Sequence, residues 1–86
     1  MTVSNKTNVK KIRAFLCRYI YAYFIKEDEI IYSNIVFNPK IVKNILPFLK
    51  EEFGIEAVEN DICGFYSIAT IDAFINKKLA GKIDNE

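Results

Sequence analysis

The sequence predicts a small all-α domain, a four-helix bundle with three longer helices, one short third helix and a long first loop. Three observations carry this expectation. Apolar residues recur at spacings of three and four in three separate segments. Those segments are bounded by cap and stop residues. The one stretch rich in β-branched and aromatic side chains has no second strand to pair with. Eighty-six residues leave room for a single core. A chain of this size buries only about 60–65% of its unfolded surface, so the core must be efficient. A hydrophobic content of 51% beside 27% charged residues can build one and lies outside the regime of disordered chains.

Taken in order, residues 1–8 form a flexible N-terminus, 9–80 the folded domain and 81–86 a polar, frayed tail. In the first helix Val9, Ile12, Leu16, Tyr19, Ile20 and Tyr23 gather on one side, opposite Lys10, Lys11 and Arg18. Thr7 or Asn8 caps its start. Phe15 and Tyr21 fall at or beyond the margin of that stripe, giving more aromatic surface than one core face needs. Residues 27–38 read as a structured loop that tucks Ile31, Val36 and Phe37 against the helices.

Asn38-Pro39 opens the second long helix: an amide oxygen caps it, and a ring with fixed φ and no N–H suits its first position. Ile41, Val42, Ile45, Leu46, Phe48, Leu49 and Phe53 form its apolar stripe, and Lys40, Lys43, Asn44, Lys50 and Glu51 its polar face. Pro47 interrupts the polar side and predicts a kink near Asn44 to Pro47, since an interior proline costs about 3 kcal/mol in a straight helix. Gly54 ends the helix in a left-handed conformation. A short helical turn covers Glu59 to Gly64. Ser67 caps the last helix, whose stripe is Ile68, Ile71, Phe74, Ile75 and Leu79 and whose stop is Gly81.

Charge and residue content narrow the functional classes. The net charge is +1 and histidine is absent, which removes the commonest general base and metal ligand. Glu51/Glu52 and Glu27/Asp28/Glu29 are adjacent carboxylates that point apart or sit in solvent, so no acid–base pair or metal cluster assembles. The chain is expected to be no enzyme and to hold neither metal nor cofactor. Cys17 and Cys63 lack metal-type spacing and read as small buried hydrophobes. No uncharged apolar run approaches about 18 residues and the N-terminus has no apolar signal core, so a cytoplasmic chain without a membrane span is expected. The first 26 residues are basic, yet a pI near 7.7 falls short of a nucleic-acid footprint.

The segment Leu49-Lys50-Glu51-Glu52-Phe53-Gly54-Ile55-Glu56 resembles the end of the second helix in the acyl carrier and peptidyl carrier protein family. Upstream, Asp28 to Lys40 runs parallel to that family's first loop without a gap, and Phe65-Tyr66-Ser67-Ile68 to Ile75 is similar to the start of its last helix. The resemblance covers residues 9–80 and implies the family's four-helix fold. It also implies a phosphopantetheine arm on a serine at the head of the second helix, fourteen residues before the position of Phe53. That position is Pro39. The family's glycine four residues earlier is Ile35, and the leucine after the serine is Lys40. A proline has no hydroxyl to become a phosphodiester, so the whole attachment motif is replaced.

The expectation is therefore a carrier-like domain that does not carry, a non-covalent interaction module whose protein partner is a biosynthetic enzyme. Family partners meet an acidic second helix, whereas this one shows Lys40, Lys43 and Lys50. Those lysines, with Tyr21 and Tyr32 as aromatic anchors, are the candidate partner-binding residues. A solvated helix face is the ordinary role of any one lysine, and exposed tyrosines on the first helix suit a homodimer equally. The alternative is an unconventional acyl or peptidyl carrier that uses Ser33, Cys17 or Cys63 as attachment point, or binds an acyl chain non-covalently between the helices.

Overall fold

The computed structural model describes residues 6–21 and 23–84, with side chains from 7 to 81 apart from Ala22. Among them every regular element is helical: α1 spans Lys6–Ile20, α2 Tyr32–Val36, α3 Pro39–Phe53 and α4 Ile68–Asp84, with a 3-10 helix at Glu59–Gly64. The chain is thus all-α with one helical element more than expected. Helix α1 packs chiefly on α4, while α3 meets α1, α2 and the 3-10 helix.

Helix α1 spans Lys6–Ile20, so Thr7 and Asn8 lie inside it rather than ahead of it. Residues 6–8 therefore belong to the folded body, and residues 1–5 lie outside the described part. Val9, Ile12 and Leu16 are buried as their spacing requires. Phe15 is buried as well, stacked on Phe48 of α3 with ring centroids 4.3 Å apart. The helix stops at Ile20, leaving Tyr23, assigned to the stripe, beyond its end and exposed.

The stretch expected as loop contains α2. Its backbone bonds run from Ile35 N–H to the Ile31 carbonyl at 3.1 Å and from Phe37 N–H to that of Ser33 at 3.0 Å. Ile31 and Ile35, one turn apart, are both buried, so packing has overridden the β preference of the segment. Val36 is half-buried, but Phe37 is 82% exposed rather than tucked in. The connection before α2 is pinned at three points. Arg13 Nε donates to the Ile25 carbonyl at 2.8 Å. Ala69 N–H donates to Glu27 at 2.9 Å, and Ile31 N–H to Tyr66 at 2.7 Å.

Helix α3 follows its sequence signals. Asn38 Oδ1 accepts from the amides of Lys40 at 3.0 Å and Ile41 at 3.3 Å, and Gly54 closes the helix at φ 69°. The chain remains helical through Pro47 to Phe53, so the proline does not divide the element. At the 3-10 helix Asp61 Oδ2 accepts from Val58 N–H at 2.9 Å. Ser67 and Thr70 cap α4 reciprocally: Ser67 Oγ accepts from Thr70 N–H at 3.3 Å, and Thr70 Oγ1 from Ser67 N–H at 2.9 Å. Gly81 is not the stop, because α4 runs on to Asp84. An interior glycine costs only about 1 kcal/mol, too little to end a helix held by its buried stripe.

Sixteen described hydrophobic residues form the buried core, and eleven of them are isoleucine. Seven of these isoleucines lie in α-helices, where a β-branched side chain has one dominant rotamer, so much of the core is stiff rather than adaptable. Phe65 is buried with them, while Phe48, Phe53 and Phe74 are half-buried around the edge.

Candidate functional site

The head of α3 stands in an open groove shared by three elements. The end of α1 contributes Arg18, Tyr19 and Tyr21; α2 and the residue after it contribute Ser33, Asn34 and Phe37; Asn38, Pro39 and Lys40 close it. One side chain holds these elements in register. While Asn38 Oδ1 caps α3, its Nδ2 donates to the Tyr19 carbonyl at 3.4 Å, joining the last turn of α1 to the first turn of α3. A carbonyl left open at the end of α1 is thus satisfied from across the groove.

Tyr21 is 93% exposed and has a left-handed φ of 58°. Helices commonly end in this conformation, but with glycine, which has no Cβ to strain. A tyrosine there costs about 1 kcal/mol or more and is held outward at the rim of the groove. Phe37 forms the other apolar wall beside Pro39.

The charges around this groove are one-sided. None of its lining residues is acidic, whereas it holds Arg18 and Lys40. Other cations are already engaged: Lys11 pairs with Glu52 at 3.5 Å and Lys50 with Glu56 at 3.9 Å. The Arg13 guanidinium lies over the Phe24 ring, 4.1 Å from its centroid. Arg18, Lys40 and Lys43 have no carboxylate within ion-pair distance among the described residues.

The sequence-selected residues divide accordingly. Tyr21, Pro39 and Lys40 come together. Lys43 sits one step along α3 in a second groove that shares Phe37 and Pro39 with the first. Lys50 lies further on, beside Leu46 and Pro47, in its pair with Glu56. Tyr32 does not line the groove; it is half-buried, with its ring 5.1 Å from that of Tyr66. Sequence reasoning missed Arg18, treated only as helix surface, and Phe37, assigned to the core. The available signal for Phe37 was its place next to Asn38-Pro39, where the chain leaves one helix to cap another.

Ser33 is exposed and lines the same groove as Pro39, although six positions separate them in the chain. The cysteines depart from their expected burial: Cys17 is half-buried and Cys63 exposed, and both are free thiols. Among the described residues no group of three or more His, Cys, Asp and Glu can hold a metal ion. No described helix is long and apolar enough to cross a membrane. No protein-family model matches the chain, and no match is found among curated proteins or solved structures.

Proposed function

We propose that this protein is an acyl-carrier-like domain without a carrier's covalent chemistry, a non-enzymatic module that binds a protein partner in a biosynthetic pathway. The observation that carries it is Pro39 at the head of α3. Where the resembled family offers a hydroxyl, this chain offers a ring, an exposed aromatic on either side and a lysine. Asn38 still starts the helix, so in this reading the helix start is kept while the attachment chemistry is not. Lys40 and Lys43 on the outer face of α3 reverse the charge that carrier partners meet. The stiff isoleucine core speaks against an acyl chain between the helices.

A second reading has one observation in its favour. Ser33, exposed in the same groove, is an available hydroxyl for an unconventional carrier. Incubation with coenzyme A and a broad-specificity phosphopantetheinyl transferase, followed by intact mass, separates the two. The module is expected to keep its mass; a phosphopantetheine adduct on Ser33 or any other residue overturns the proposal.

A further inference from the structure

The groove at the head of α3 has a chemistry that selects among protein partners. Among the described residues its two cations have no carboxylate within ion-pair distance, its walls are the exposed rings of Tyr21 and Phe37, and its lining holds no acid. Exposed aromatic side chains with unpaired cations are the composition of an interface hot spot awaiting the opposite charge. The strained Tyr21 backbone is an independent sign, since a position that favours glycine here keeps a large ring pointed at solvent.

We infer that this groove binds an acidic segment of a protein partner, one that sets an aliphatic or aromatic side chain against Tyr21 and Phe37 and places carboxylates by Arg18 and Lys40. This rests on the domain being a non-covalent interaction module and names the chemistry of its partner. A free phosphate fits less well. The amides that bind phosphate at a helix start are those of its first turn, and Asn38 Oδ1 already takes two of them, from Lys40 and Ile41. An anionic membrane fits less well too: the groove offers two cations, Arg18 and Lys40, where such a surface selects clusters of about four to eight.

The test uses the 15N-labelled full chain and three synthetic peptide pools of equal length, each with a central Leu or Phe flanked by Asp and Glu, by Lys and Arg, or by Ser and Asn. Sodium phosphate and phosphatidylglycerol vesicles are added alone as further arms. The acidic pool is expected to shift the amide signals of Tyr21, Phe37 and Lys40, more weakly as salt rises. The Arg18→Glu/Lys40→Glu variant should lose roughly tenfold or more in affinity at an unchanged melting temperature. Tyr21→Ser, which leaves both cations in place, should weaken binding without reversing its charge preference. The inference is overturned if no pool shifts these signals, if the basic or neutral pool binds as well, or if the shifts lie elsewhere. It is equally overturned if phosphate or vesicles alone reproduce them, or if the charge-reversed variant binds normally. A covalent adduct in the mass experiment sinks the module itself. A basic partner segment seated in this groove sinks only the present inference.

Discussion

Phe15 and Phe37 make a useful pair. Both are rings beside α3, yet Phe15 is buried on Phe48 in the seam between α1 and α3, and Phe37 stands in solvent on the rim of the groove at its head. Neither belongs to an obvious apolar stripe in the sequence. What separates them is the backbone around each. Phe15 sits in the middle of a long helix whose neighbours Ile12 and Leu16 are fixed in the core, so a slightly wide stripe is enough to carry it inward. Phe37 follows the last residue of a five-residue helix, where the chain turns into the extended Asn38 cap and aims the ring away. The same side chain is packing in one place and available surface in the other, decided by what the main chain does over two residues.

That comparison can be broken at several points. The largest effect is expected for Phe15→Ala, which removes a buried ring and should cost about 3–5 kcal/mol in denaturant unfolding; a loss below about 1 kcal/mol would mean the seam is not packed as described. Asn38→Ala loses the α3 cap and the bond to Tyr19 together, and should cost about 1–2 kcal/mol. Tyr21→Gly relieves the left-handed backbone, so the unfolding midpoint should rise slightly, by the equivalent of about 0.5–1 kcal/mol. A fall instead would show that the ring supports the fold. Phe37→Ala should change stability by no more than about 0.5 kcal/mol, because the exposed ring has little packing to lose.

Much of the architecture was legible because long amphipathic helices announce themselves twice, by period and by caps. Asn38-Pro39, Gly54, Ser67 and the Glu59–Gly64 turn all fall where their local chemistry puts them. The errors share a physical cause. Helix α2 has only five residues, and its buried Ile35 repeats only Ile31, the residue just before it, too short a period to stand out against β-branched neighbours. Thr7, Asn8 and Gly81 mark boundaries by propensity alone, and propensity is a weak signal: α1 already includes Lys6 and α4 runs on to Asp84. The candidate site was half readable: the proline, Lys40 and Tyr21 stood out as residue types, but their convergence with Arg18, Ser33 and Phe37 depends on how three chain segments meet. Tyr32 illustrates the converse, an aromatic selected for the surface that spends its ring on Tyr66.

The asparagine before the proline leaves one more consequence. Its carboxamide grips two helices with its two ends, so the mouth of the groove cannot widen by much without that amide letting go of Tyr19, and rotating to do so pulls its oxygen from the first amides of α3. Solvent exchange at Lys40 and Ile41 would then act as a strain gauge for the opening, slow while the clasp is shut and quickened by any occupant large enough to pry it.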